Sequence, residues 1–202
     1  MQNSEWGVRN EASQEAKTFD FFKIKVIIKT SIIIIGDKMK TENKFEEITQ
    51  YAKIYSDPPE RKREGCRAII VKDNKVLLSW EERKDVYMSP GGGLENDESL
   101  EECVIRELQE EAGYKVKPIK PFIKVNEYCY ETLWINNYFI CEIEGECERH
   151  LTESEVYNRV KPVWVEIDKA IEIFGEYDSK TVDHASLYLR EFTVLNKLKS
   201  FC

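Results

Sequence analysis

Residues 92–114 read GGLENDESLEECVIRELQEEAGY, and this stretch decides how the rest of the chain is interpreted. Ser99 is followed three residues later by Glu102, which is the capping-box pattern of a helix N-terminus. The spacing predicts a helix over residues 100–112, with Gly113 as its C-terminal cap. A glycine-rich loop therefore leads into a helix that carries most of the acidic residues of this stretch.

The predicted helix has a face crowded with carboxylates. At 100° per residue, Glu107, Glu110 and Glu111 fall within about 100° of one another. Such like-charge pairs destabilise an exposed helix by roughly 0.2–0.5 kcal/mol each, and a bound divalent cation would relieve the repulsion. Mg²⁺ prefers oxygen ligands and shares its coordination between carboxylates and substrate phosphates. The face is interpreted as half of a magnesium site, and an ordinary solvated helix face is the alternative.

The loop before the helix contains Gly91, Gly92 and Gly93, called the glycine loop below. Glycine allows a close approach of backbone to ligand and accepts positive φ angles. The loop also lies beside a helix N-terminus, which favours anionic ligands. The combination predicts binding of a diphosphate together with a metal ion.

The same stretch resembles the Nudix box, Gx5Ex7REUxEExGU, in which U is a bulky aliphatic residue. Gly92 opens the match, Glu98 follows after five residues, and the run from Arg106 to Gly113 supplies the remaining fixed letters. Tyr114 replaces the usual aliphatic residue at the last position, and an aromatic ring can fill the same apolar space. The chain is identified on these 23 of its 202 residues as resembling the MutT-like Nudix hydrolases.

The resemblance implies an α/β fold, an α/β/α sandwich with a mixed β-sheet. It also implies a Mg²⁺-dependent pyrophosphohydrolase, with Mn²⁺ as a substitute, which cleaves a nucleoside diphosphate linked to another moiety by water attack on phosphorus. A housecleaning nucleoside triphosphate pyrophosphatase is the first alternative. A non-catalytic nucleotide-binding sensor on the same fold is the second.

Site residues follow from the resemblance position by position. The implied metal ligands are Glu107, Glu110, Glu111 and the carbonyl of Gly92. The implied catalytic residues are Glu98, Arg106, Glu107 and Glu110, with Arg106 orienting a glutamate. The candidate substrate-binding residues are Gly91, Gly92 and Gly93 of the glycine loop, and Arg83, which precedes the loop and either meets phosphates or is an ordinary loop charge. Tyr130, 16 residues past the box, is a further candidate because its spacing resembles that of a tyrosine in the dinucleoside-polyphosphate subgroup of the family. Glu153 and Glu155 are further candidates for an added carboxylate, with surface charge as the alternative.

Hydrophobic patterns predict the remaining elements. Strands are expected over residues 66–71, 76–80, 86–88, 121–130, 133–143 and 163–167. The first two should form a hairpin around Asp73-Asn74. A helix is expected over residues 40–55 from the helical spacing of its apolar residues, another after Asp168 as N-cap, and a last one over residues 182–198.

The domain interpretation has three parts: an extension over residues 1–38, a helix and linker over residues 39–62, and the Nudix domain over residues 63–202. Residues 19–35 contain Asp20 and three lysines, whereas a membrane-spanning helix needs about 20 predominantly apolar residues. The extension is expected either to be mobile, to add a strand to the sheet, or to be non-native sequence upstream of a start at Met39.

The composition of the chain limits which kinds of binding partner are expected. The formal net charge of −8 argues against stable nucleic-acid binding, which depends on neutralising phosphates. A nucleotide-type small molecule remains compatible with it, because a metal ion can supply positive charge. Six scattered cysteines without a CxxC pair favour reduced thiols and a cytoplasmic location. No membrane association is expected, and the fold would allow a homodimer.

Overall fold

The computed structural model of the chain describes residues 27–28 and 44–200. The strands are β1 (Ile27–Ile28), β2 (Glu46–Tyr55), β3 (Arg61–Ile69), β4 (Val71–Lys72), β5 (Lys75–Glu81), β6 (Val86–Met88), β7 (Tyr114–Tyr130), β8 (Thr132–Glu146) and β9 (Val160–Glu166). The α-helices are α1 (Leu100–Glu107), α2 (Glu153–Asn158), α3 (Ile167–Gly175) and α4 (Val182–Lys199). A π-helical turn (Leu108–Ala112) extends α1, and a short 3₁₀ turn (Tyr177–Ser179) precedes α4.

Two sheets form the middle of the domain, and the larger one is mixed as predicted. Its strand order is β1-β2-β7-β8-β3; β2 runs parallel to β7, β3 runs parallel to β8, and β7 pairs antiparallel with β8. The second sheet has the order β4-β5-β6, with β9 paired to β5.

Helices cover the sheets on both faces, which confirms the predicted mixed α/β architecture. Side chains alternate along β5, so that Leu77 packs into the core under α1, whereas Val76 and Leu78 pack into the core under α3 and α4. In β3, Ala68 packs into the core under α1, and Ile69 packs into the core under α3 and α4. The glycine loop lies against β3, where these two layers meet.

The predicted helix over residues 40–55 is wrong. Residues 46–55 form β2, which pairs in parallel with β7. Ile48, Gln50 and Ala52 are buried at every second position, the period of a strand. The strand period was not recognised in the sequence because Gln50, at one of the buried positions, is polar. In the structure its side-chain amide is buried and donates to the Ser186 carbonyl oxygen at 2.9 Å.

The hairpin around Asp73-Asn74 is confirmed only close to the turn. Both turn residues have positive φ, and Val71–Lys72 pairs antiparallel with β5. Residues 66–69 instead belong to β3. This strand is not part of the hairpin, and it pairs in parallel with β8 in the other sheet. The predicted cap of the helix near residue 168 is also displaced, because α3 begins at Ile167 with Glu166 as its N-cap.

Of the N-terminal extension, the structure describes only residues 27–28. Ile27–Ile28 pairs antiparallel with β2, with Ile27 opposite Thr49, as the added-strand alternative expects. The remaining predictions for residues 1–38 lie outside the described residues. Within residues 44–200, no helix is long and apolar enough to cross a membrane.

Candidate active site

The glycine loop is fastened to β3 by main-chain contacts. The Cys66 N–H donates to the Gly92 carbonyl oxygen at 3.0 Å, and Gly65 forms a bridge with Gly93. Gly91 has φ 137°, and a Cβ there would lie 2.1 Å from the Cys66 carbonyl oxygen. Only glycine fits this position, both because of its backbone angle and because of the close approach.

The helix after the loop begins as predicted and ends with a wider turn. The Ser99 hydroxyl accepts from the Glu102 N–H, and the Glu102 side chain accepts from the Ser99 N–H. Helix α1 then changes to a π-helical turn at Leu108, which closes at Gly113 with φ 74°. A π turn winds more residues into each turn than an α turn, and such turns are frequent at functional sites. The change of pitch separates the directions of the three predicted ligands.

Two of the three glutamates lie against the glycine loop. The Gly91 N–H donates to Glu111 Oε2 at 3.0 Å. A Cβ on Gly92 would lie 2.5 Å from the Glu107 carboxylate, so that this carboxyl group occupies the space in front of the loop. Burial raises the pKa of Glu111 and of Glu107, in both cases as the largest effect. The site therefore contains two poorly hydrated acidic groups side by side with main-chain amides.

Arg106 connects the acidic residues of the box. Its Nη2 donates to Glu98 Oε1 at 2.7 Å and to the Gly93 carbonyl oxygen at 3.0 Å. Its Nη1 donates to Glu107 at 2.9 Å and to Glu110 at 3.3 Å. The hydrogen bonds from Arg106 lower the pKa of Glu98 to about 2. Arg106 thus positions the carboxylates and the loop, which is the orienting contact that the sequence implied.

The oxygen donors at the loop suit a hard divalent cation, because Mg²⁺ takes carboxylate and carbonyl oxygens. Glu107 and Glu111 offer carboxylate oxygens beside the loop that fit such an ion; Arg106 donates to Glu107 at 2.9 Å, whereas Glu111 accepts from the Gly91 N–H. Glu110 faces Arg106, and its side chain is 45% exposed. Among residues 44–200, no group of three acidic, histidine or cysteine side chains is arranged to hold a metal ion. The metal site of three glutamates stays a prediction: Glu107 and Glu111 lie at the loop, and Arg106 donates to both Glu107 and Glu110.

Arg67 is a site residue that the sequence interpretation missed. Its Nη1 donates to the Ser89 carbonyl oxygen at 3.1 Å and to the Gly91 carbonyl oxygen at 2.9 Å. Its charge also lowers the pKa of Glu107 and Glu111 against the larger effect of burial. The available signal was an arginine inside the otherwise apolar run of residues 66–71.

A buried polar network supports the loop from behind. Ser89 Oγ donates to Glu191 Oε2 at 2.6 Å, and Tyr138 donates to Glu191 Oε1 at 2.8 Å. Arg190 completes the network by donating to Glu191 at 3.1 Å and to Glu127 at 2.7 Å. Helix α4 is in this way connected to the residue that precedes Pro90 and the glycine loop.

The remaining predicted residues have different surroundings. The Arg83 guanidinium lies 4.6 Å from the centre of the Tyr157 ring, so its predicted role in substrate binding has no support from this geometry. Tyr130 lines a cavity together with Arg67. Glu155 caps α2, and its charge raises the pKa of Glu111, which places it near the site, whereas Glu153 is exposed.

The fold and this site define a class, and comparison with known proteins gives its name. The NUDIX domain family matches residues 61–187, about three fifths of the chain. The chain therefore belongs to the Nudix family, as the box predicted.

Relatives and solved structures agree with this assignment. The m7GpppN-mRNA hydrolase of Saccharomyces cerevisiae is 31% identical over 124 residues, which cover 61% of this chain and 11% of the yeast protein. An 8-oxo-dGTP diphosphatase of Buchnera aphidicola is 30% identical over 81 residues, covering 38% of this chain and 62% of that protein. The chain thus spans less than two thirds of the length of these curated relatives. The solution structure of the E. coli ORF135 protein has the same fold, with a TM-score of 0.51, 18% identity, and coverage of 70% of this chain and 91% of that chain.

Proposed function

We propose that this protein is a divalent-metal-dependent hydrolase that cleaves the pyrophosphate bond of a nucleoside diphosphate linked to another moiety, by water attack on phosphorus. The observation that carries the proposal is the placement of the buried Glu107 and Glu111 carboxylates against the glycine loop. A buried carboxylate is unfavourable unless it is paired, and since Arg106 already pairs with Glu107, Glu111 is the acid that gains most from a bound cation. Membership of the Nudix family and the activities after which the two relatives are named support the reaction class.

Glu107 and Glu110, after release from Arg106, would hold the cation together with Glu111. When bound, Mg²⁺ supplies charge neutralisation for the phosphate oxygens and lowers the pKa of water. The Gly92 carbonyl is a weaker candidate ligand, because it already accepts from the Cys66 N–H. Mn²⁺ is expected to substitute for Mg²⁺.

The chain's own residues position the reacting groups. The Gly91 N–H fixes the direction of the Glu111 carboxylate, and Arg106 fixes Glu107 relative to Gly93. A carboxylate outside the box, for which Glu155 is the sequence-based candidate, would accept the proton of the attacking water. General-base assistance of this kind typically contributes 10²–10⁴-fold to the rate.

Removal of damaged nucleoside triphosphates is the second candidate function, favoured by the Buchnera relative that is named an 8-oxo-dGTP diphosphatase. The reaction products distinguish the two candidate functions. A triphosphatase releases pyrophosphate and a nucleoside monophosphate, whereas cleavage of a linked diphosphate releases two monophosphate products.

The test is a hydrolysis screen of the full chain with Mg²⁺ or with EDTA. The substrates are nucleoside triphosphates, sugar nucleotides, ADP-ribose, dinucleoside polyphosphates and, because of the yeast relative, a capped RNA oligonucleotide. We expect Mg²⁺-dependent cleavage of at least one substrate, and a loss of turnover of 10² or more in Glu111→Gln. Glu101→Gln, on the exposed first turn of α1, is the matched control and should retain full activity. Full activity of Glu111→Gln, or equal activity in EDTA, would contradict the proposal, and binding of a nucleotide without any hydrolysis would favour the sensor alternative.

A further inference from the structure

Helix α4 holds the segment that leads into the glycine loop at two points. The Tyr188 hydroxyl accepts from the Tyr87 N–H at 3.3 Å. Three residues further along the helix, the Glu191 carboxylate accepts from the Ser89 hydroxyl at 2.6 Å. Side chains three residues apart lie on one face of a helix, so both contacts come from the same face of α4. Only Pro90 separates the second contact from the glycine loop.

Ser89 is fully buried and is bonded on two sides. Its hydroxyl donates to Glu191, and its carbonyl oxygen accepts from Arg67 Nη1 at 3.1 Å. The same arginine nitrogen donates to the Gly91 carbonyl oxygen at 2.9 Å. The main chain from Ser89 to Gly91 is therefore held by α4 on one side and by β3 on the other.

The Gly91 N–H is the donor that holds the Glu111 carboxylate, at 3.0 Å from Oε2. It can orient this carboxylate only if the amide is itself fixed in direction. A rotation of the main chain at Ser89 would turn the amide away from Glu111, because Gly91 follows only two residues later. The hydrogen bond from Ser89 to α4 thus acts where the direction of the amide is determined.

The Glu191 carboxylate is 0% exposed and accepts from Ser89, Tyr138 and Arg190. Replacing a whole buried charge network with apolar side chains of similar volume is often neutral or stabilising, so the net stability of the fold does not by itself call for this arrangement. Hydrogen bonds from a surrounding shell of residues are, by contrast, what holds a functional group in a single geometry.

We propose that Ser89 and Glu191 are positioning residues, and that the hydrogen bond between them sets the direction of the Gly91 N–H and thereby holds the Glu111 carboxylate toward a bound divalent cation. The inference rests on the proposed function. Ser89 and Glu191 are both 0% exposed, so they act through the loop and not by contact with the cation or the substrate. Loss of a residue that orients a metal ligand typically costs 10–100-fold in metal affinity.

The test compares two variants that each remove one hydroxyl from the Glu191 carboxylate. Ser89→Ala removes the donor on the loop side, and Tyr138→Phe removes the donor on β8. Both should lower the thermal midpoint of unfolding by a similar amount, roughly 2–8 °C. Only Ser89→Ala should weaken Mn²⁺ binding by about tenfold or more, followed by electron paramagnetic resonance of the free ion, whereas Tyr138→Phe should stay within about twofold.

A second measurement needs no metal ion. Exchange of the Gly91 amide hydrogen with D₂O, followed by NMR in EDTA, reports on the bond from this amide to Glu111. Ser89→Ala should accelerate the exchange by about tenfold or more, whereas Tyr138→Phe should leave it within about twofold of the unaltered protein.

Glu191→Gln separates the hydrogen bond from the charge. The new amide can still bond the Ser89 hydroxyl, whereas the buried Arg190 loses part of its compensating charge. We expect a lower thermal midpoint, with Mn²⁺ affinity and Gly91 exchange within about threefold of the unaltered protein. This variant also tests the proposal if Ser89→Ala fails to fold.

Unchanged Mn²⁺ affinity and unchanged Gly91 exchange in Ser89→Ala would overturn the proposal. Equal losses in Ser89→Ala and Tyr138→Phe would overturn it as well, because they would show a purely structural role, and so would a tenfold loss of Mn²⁺ affinity in Glu191→Gln. Failure of the proposed function gives a different result: the unaltered chain binds no Mn²⁺ and hydrolyses nothing, while Ser89→Ala still accelerates Gly91 exchange.

Discussion

At the scale of single residues, the site depends on contacts between acidic side chains and main chain. Glu111 accepts from the Gly91 N–H, and Glu107 fills the space in front of Gly92. Both carboxyl groups are buried enough for their pKa values to rise. Glycine at position 92 leaves the space that the Glu107 carboxylate occupies, whereas glycine at position 91 allows the close approach to Cys66.

Gly92→Ala tests this dependence. The new Cβ would lie 2.5 Å from the Glu107 carboxylate, and the side chain rather than the backbone should yield, because it is the flexible partner. We expect at least a tenfold loss of Mg²⁺-dependent hydrolysis, with an unfolding free energy within about 1 kcal/mol of the unaltered protein.

Gly145→Ala, in β8, is the matched control for this variant. A Cβ there meets no atom of the described residues within 4 Å, so activity should be retained. Equal loss of activity in the two variants would show that the position of Glu107 is not what matters.

At the scale of elements, the start of α1 and the cap at Gly113 are specified locally, and the π turn between them is not. Ser99 and Glu102 bond each other's main chain as the sequence pattern predicts. The π turn from Leu108 to Ala112, which contains Glu110 and Glu111, has no comparable signature. The functional part of the helix is the part that local spacing described least well.

Ser99→Ala should destabilise the protein by about 1 kcal/mol, because it removes the hydroxyl that accepts from the Glu102 N–H. The measurement is urea unfolding followed by circular dichroism. Thr181→Ala is the control, since Thr181 is the N-cap of α4 without a side-chain bond to the helix main chain. If Thr181→Ala costs as much as Ser99→Ala, the capping box does not contribute as described.

The sequence predicted the elements whose signals are local and missed those that depend on partners distant in the chain. The Nudix box, strand β6 and helix α4 follow from spacing and turn residues alone. Strand β2 was mistaken for a helix because its pairing with β7 and the burial of Gln50 against α4 decide its conformation. Arg67 was missed for the same reason, since its role comes from the carbonyls of residues more than 20 positions away.

At the scale of the whole molecule, α4 and the glycine loop are connected through buried charges. Arg190 and Glu191 are 5% and 0% exposed, and Ser89 bonds to Glu191. Removing the cation of such a network leaves carboxylates buried without compensation, which is strongly unfavourable. The network therefore couples the stability of the C-terminal helix to the position of the loop.

Arg190→Met should lower the unfolding free energy by about 3–5 kcal/mol, because Glu127 and Glu191 lose their shared donor. Lys169→Met removes an exposed ion pair with Glu172 and should change it by less than about 1 kcal/mol. Urea unfolding of both variants checks the prediction. Similar small effects in the two variants would show that the buried network is not structurally required.

The central claim is that the acidic residues at the glycine loop hold a divalent cation. Its most direct test is a titration of the full chain with Mn²⁺, followed by electron paramagnetic resonance of the free ion. The account predicts saturable binding that weakens at least tenfold in Glu111→Gln and is unchanged in Glu101→Gln. Saturable binding that is equally tight in all three proteins, or no binding by the unaltered chain, would contradict it.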